Sequence, residues 1–118
     1  MNSRVRFALG SDVGGGAGFG MMKESLLAYL MQRVAPDPLT LSPAQMLWLA
    51  TRAGAEALAF EDRIGDFTPG KSADYVYLKP DSESPLGGVL KSLEDPERIL
   101  SAILTPPTHS PGLEAQAV

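Results

Sequence analysis

Six of the eleven residues from Gly10 to Gly20 are glycine, and this cluster separates a β-type run from a helical pattern. Glycine reaches backbone conformations closed to other residues and lets segments approach closely. A loop of this make-up therefore implies a sharp turn at that point of the chain. The run before it, Arg4, Val5, Arg6, Phe7, Ala8 and Leu9, mixes β-branched and aromatic residues with alternation, and predicts a strand ending at Gly10. After it, Met22, Leu26, Leu27, Leu30, Met31 and Val34 recur at three- and four-residue spacing. That period predicts an amphipathic helix over Met21–Val34, ended by Pro36 and Pro38. The fold class expected is α/β to α+β. A complete (β/α)8 barrel needs about 250 residues, so a chain of 118 can hold only a piece of one.

Downstream, Ser42, Pro43, Ala44 and Gln45 form a helix start: serine caps, proline suits the first helical position, and the glutamine closes a capping box. The helix is expected to run through Met46, Leu47, Leu49 and Ala50, to break at Gly54, and to resume from Ala55 to Phe60. Arg63–Phe67 and Ala73–Leu78 read as two strands joined by a type II turn at Thr68, Pro69, Gly70 and Lys71, which predicts a β-hairpin. A serine, proline and glycine loop is expected to about Gly88. Asp95 and Pro96 then open a helix carrying Ile99, Leu100, Ile103 and Leu104. Thr105–Val118 contains three prolines and no apolar period, and reads as a disordered tail.

Charge and composition narrow the function classes. Ten basic against fourteen acidic side chains give a net charge of -4, without the basic footprint of a nucleic-acid binder. Cysteine is absent, which excludes disulfides, thiolate zinc sites and thiol nucleophiles and fits a reducing compartment. No run approaches the ~20 apolar residues of a membrane span, and no signal-type segment opens the chain; the expectation is a cytoplasmic protein.

The position with most chemical promise is Asp12, a carboxylate just past a strand end and beside a flexible loop, where α/β sheets and barrels carry catalytic groups. A carboxylate there can bind a divalent metal and exchange protons with metal-bound water. An Asx-turn, in which Asp12 satisfies its own backbone, accounts for the residue equally well at this level. The glycines fit neither a G-x-G-x-x-G register nor a Walker A pattern, so phosphate cradling is not supported. His109 stands alone among prolines and reads as a solvated loop residue. Trp48, Tyr75 and Tyr77 lie at periodic or alternating positions and read as core. No G-x-S-x-G elbow is present.

Three separated blocks, ALGSDVGGG (Ala8–Gly16), LSPAQMLWLATRAGAEAL (Leu41–Leu58) and EDRIGDFTPGKSADYVYL (Glu61–Leu78), together resemble the C-terminal part of the guanine deaminase family of the amidohydrolase superfamily. The last block is shared across the superfamily; the SDVGGG run points to guanine deaminases. The resemblance implies the last strand of a (β/α)8 barrel with its glycine loop and helices over residues 1–60. It further implies a β-hairpin of the small β-sandwich domain over 61–80, a loop and helix over 81–104, and a tail over 105–118. It implies hydrolytic deamination of guanine to xanthine and ammonia by metal-activated water, with zinc as the metal. On this comparison Asp12 is metal ligand and proton shuttle, and Ser11 and Gly14 line the substrate mouth. The family's H-x-H pair and its other histidines have no counterpart here. The expectation is a truncated or frameshifted product, inactive in isolation, that associates as a homodimer or with a missing N-terminal part. Another amidohydrolase activity and a non-enzymatic interaction module remain as alternatives.

Overall fold

The computed structural model describes residues 6–15 and 20–105 and the backbone of 115–117. The chain divides into two compact units, Met1–Ala73 and Asp74–Val118.

The first unit is built on three helices, α1 (Met21–Arg33), α2 (Pro43–Ala50) and α3 (Arg52–Ala57), with α1 and α3 each packed on α2. Its core is small: Met46 and Leu49 of α2, Ala53 and Ala55 of α3, and Ser25 of α1 are buried. Each fully buried Met or Leu contributes roughly 1.5–3 kcal/mol, so α2 carries most of the apolar stabilisation of this unit. α1 matches its expected span, with Val34 as the C-cap residue. Its apolar residues are less covered than their spacing suggests, since Met31 is 58% and Val34 75% exposed while the polar Ser25 is sealed.

α2 begins as expected. The Ser42 hydroxyl accepts from the Gln45 amide at 3.2 Å, and Gln45 Oε1 accepts from the Ser42 amide at 2.8 Å. The helix break falls at Thr51 rather than at Gly54, which lies inside α3. Thr51 Oγ1 donates to the Leu47 carbonyl at 2.7 Å, and its backbone leaves helical geometry at φ −131°, ψ −86°. A hydroxyl that engages the carbonyl four residues back competes with regular helix.

The strand expected over Arg63–Phe67 is instead a chain of turns. The amides of Arg63 and Ile64 both donate to the Phe60 carbonyl, at 2.9 and 3.0 Å. Asp66 is held by Arg52, by Lys71 Nζ at 2.9 Å and by the Thr68 amide at 3.0 Å. Two cations drawn to one carboxylate bend this segment back on itself and leave no extended ladder. The type II turn is present: the Lys71 amide donates to the Thr68 carbonyl at 3.2 Å, and Gly70 supplies φ +96°.

In the second unit the expected strand survives as β1 (Val76–Leu78), but its partner is β2 (Ala115–Ala117), antiparallel, with Val76 opposite Ala117, Tyr77 opposite Gln116 and Leu78 opposite Ala115. The hairpin expected over 61–80 is therefore not formed, and the tail expected to be disordered supplies a strand; residues 106–114, with His109, lie outside the described residues. The loop expected to Gly88 contains α4 (Pro85–Lys91), because Ser84 caps it by accepting from the Gly87 amide at 3.0 Å and Pro85 opens it. α5 (Pro96–Leu104) starts where expected, with Asp95 Oδ1 accepting from the Glu97 amide at 3.0 Å. α4 and α5 pack together, and Leu86 and Leu104 are buried.

Among the described residues, 6–9 have no strand partner, and Arg4 and Val5 lie outside them, so the expected first strand is not part of a ladder. A strand's backbone groups need a neighbour. Here the bond goes to a helix: the Leu9 amide donates to the Leu49 carbonyl at 3.0 Å. Among the described residues no helix is long and apolar enough to cross a membrane.

Candidate functional site

The segment leading into the glycine loop is moored on α2 and α3. Besides the Leu9–Leu49 bond, Arg6 donates from its guanidinium to the Glu56 carbonyl at 2.8 Å and approaches the Glu61 carboxylate at 4.0 Å. These ties carry the chain to Ser11 and Asp12. Ser11 is half-buried, while Asp12 and Gly14 are exposed. Asp12 and Gly14 share one turn, in which the Gly15 amide donates to the Asp12 backbone carbonyl at 2.8 Å, and Ser11 immediately precedes it. Asp12 sits at φ 43° and Gly14 at φ +98°, both left-handed. Asp is among the few non-glycine residues that accept such a backbone.

The turn is thus closed by the backbone carbonyl of Asp12. Asp12 remains a surface residue. Gly16 and Gly18 lie outside the described residues.

Zinc sites use three protein ligands plus water when catalytic and four when structural. Among the described residues no three His, Cys, Asp or Glu side chains converge. The described residues therefore do not fit a complete zinc site.

A shallow groove of about 190 Å³ lies nearby in the sequence, lined by Arg6, Phe7, Trp48, Ala53 and Glu56. Neither Ser11, Asp12 nor Gly14 lines it. Trp48, expected in the core, is half exposed on this groove, and Tyr75 and Tyr77 are exposed as well.

The most strongly perturbed ionisable group is elsewhere. Hydrogen bonds from the Thr68 hydroxyl, the Lys71 ammonium and the Thr68 amide hold the Asp66 carboxyl well below the usual carboxylate range. Asp66 in turn pushes the Arg52 guanidinium upward. Sequence reading passed over this cluster because Asp66 had been placed in a strand. The signal for it was local in part, since Asp66 and Lys71 flank a Pro-Gly turn, whereas Arg52 lies fourteen residues before Asp66.

Comparison with known proteins bears on the whole segment. Residues 1–103 match the model of the amidohydrolase family. The chain is 51% identical over 100 residues to a probable guanine deaminase of Deinococcus radiodurans, which covers 84% of this chain and 23% of that protein. It is 40% identical over 74 residues to a 5-methylthioadenosine/S-adenosylhomocysteine deaminase of Desulforudis audaxviator, covering 61% and 17% respectively. Among solved structures, E. coli guanine deaminase superposes with a TM-score of 0.77 at 31% identity, over 86% of this chain and 23% of that one. The chain thus spans about a quarter or less of the length of these relatives. The family match runs through the Asp12 turn, all three helices of the first unit and the helices of the second, and on that extent the chain belongs to the amidohydrolase family.

Proposed function

We propose that this chain is the part of a guanine deaminase that presents its acid at the active-site mouth, in a reaction that converts guanine and water to xanthine and ammonia. The observation that carries this reading is the 51% identity over 84% of the chain to a probable guanine deaminase. The exposed Asp12 turn supports it, being open to a substrate and tied to α2 just before the glycine loop.

In this reading Asp12 is metal ligand and proton carrier, with its carboxylate taking a proton from the attacking water and returning one to the departing amine. A positioned side chain that moves a proton in this way contributes typically ~10²–10⁴-fold to rate. Ser11 and Gly14 form the adjacent wall of the guanine site. Zinc would be the metal, held mainly by ligands of the remaining barrel polypeptide, and would supply an activated water. Guanine catabolism is the process and the cytoplasm the location. The chain acts with a missing N-terminal part of the barrel, or as a homodimer. Alone, it releases no ammonia.

The test is a chimera in which the matching quarter of the Deinococcus radiodurans protein is replaced by this chain. It is expected to release ammonia from guanine with xanthine as product. A folded chimera that leaves guanine untouched contradicts the reading. The 40% identity to a 5-methylthioadenosine/S-adenosylhomocysteine deaminase favours a second reading, a different aminopurine substrate. Turnover of 5-methylthioadenosine in preference to guanine by the same chimera would select it.

A further inference from the structure

Among the described glycines of the loop, Gly15 differs in what surrounds it. A Cβ built on Gly10, Gly14 or Gly20 would meet nothing within 4 Å. A Cβ on Gly15 would lie 2.5 Å from Asp12 Oδ2, 3.2 Å from its Cγ and 3.5 Å from Oδ1. The Asp12 side chain therefore folds back over the turn into the space where residue 15 lacks a side chain. Gly15 is not among the residues at positive φ, so its backbone does not itself demand glycine. The three nearest atoms that a side chain there would meet all belong to the Asp12 carboxylate.

We propose that Gly15 is the positioning residue for the Asp12 carboxylate: the missing Cβ selects the side-chain rotamer that Asp12 presents. The inference rests on the reading of Asp12 as the acid of the site, and it concerns the orientation of that group rather than its identity. A methyl at position 15 would be opposed by the free end of a rotatable side chain. The group that gives way is then the carboxylate, by rotation about its first side-chain bond, while the turn closed by the Gly15 amide on the Asp12 carbonyl at 2.8 Å persists.

The experiment measures the three-bond couplings from Asp12 Cγ to its backbone nitrogen and carbonyl carbon in the ¹³C,¹⁵N-labelled 118-residue chain and in two variants, Gly15→Ala and Gly10→Ala. Gly15→Ala is expected to move the Asp12 couplings to those of a different rotamer while circular dichroism and melting temperature stay unchanged. Gly10→Ala is expected to leave the couplings as they are. Couplings unaffected by Gly15→Ala, or shifted equally by Gly10→Ala, overturn the proposal. Should Gly15→Ala fail to fold, adding Asp12→Ala is expected to restore folding by removing the group that the new methyl meets, and failure of that rescue also overturns it.

The underlying reading fails separately. If Gly15→Ala moves the Asp12 rotamer but the Deinococcus chimera carrying Gly15→Ala turns over guanine at full rate, the positioning contact stands and the catalytic role of Asp12 falls.

Discussion

At the scale of single residues, the local structure rests on short side-chain to backbone bonds that complete helix ends. Ser42 is the fullest case, since it both accepts from Gln45 and receives the reciprocal bond at its own amide. Replacing such a cap by alanine costs about 1 kcal/mol. Ser42→Ala is accordingly expected to lower unfolding free energy by that amount in urea titrations, with the slope of the titration unchanged. Asp12 belongs to a different category. It occupies a left-handed backbone conformation that aspartate and asparagine tolerate better than most residues, and its backbone carbonyl closes the turn by accepting from the Gly15 amide. Asp12→Asn, which keeps the shape and tolerates the same φ, is expected to leave the melting temperature within about 2 °C of the parent, because surface changes outside such features stay within ±0.5 kcal/mol.

At the scale of elements, the Asp66 cluster joins α3 to the turn at Thr68–Lys71, since Arg52 and Lys71 both reach the same carboxylate. Its folded-state pKa is lowered, so in acid the unfolded chain binds a proton before the folded chain does. The cluster's stabilisation is then complete above the unfolded carboxylate value of about 4 and is lost as pH falls below it toward the folded one. Hydrogen exchange at the Ser72 amide, which donates to the Arg63 carbonyl at 2.8 Å, is expected to show that loss between about pH 4 and pH 2. Asp66→Asn is expected to abolish this acid dependence. Much of the element pattern was legible in the sequence where the cause acts within four residues. The Ser42 box, the Asp95 cap and the Gly70 turn were read correctly for that reason. α4 was missed because Gly87 and Gly88 outweighed the Ser84–Pro85 start, although that start has the same chemistry as Ser42–Pro43. The partner of β1 was not legible, because pairing with Ala115–Ala117 joins distant segments and no short pattern records it. The candidate site divides in the same way. A carboxylate at the edge of a glycine loop stands out in sequence, while the contact between that carboxylate and position 15 exists only in three dimensions.

At the scale of the whole molecule, the first unit buries few large side chains and leaves Phe67 86% and Val34 75% exposed. The described residues gather no set of metal ligands, and the chain matches about a quarter or less of its relatives' lengths. The proposed function, a site assembled jointly with further barrel polypeptide, is consistent with these facts. Calorimetric titration of the 118-residue chain with zinc is expected to give the same negligible heat as its Asp12→Ala variant. A tight, Asp12-dependent binding event would show that the chain closes a metal site by itself. The central claim, that Asp12 is the acid of a guanine deaminase, is tested most directly by guanine turnover of the Deinococcus chimera with Asp12 and with Asn at that position. The account predicts a kcat at least ~10²-fold lower for Asp12→Asn in an equally folded protein; equal kcat values would contradict it.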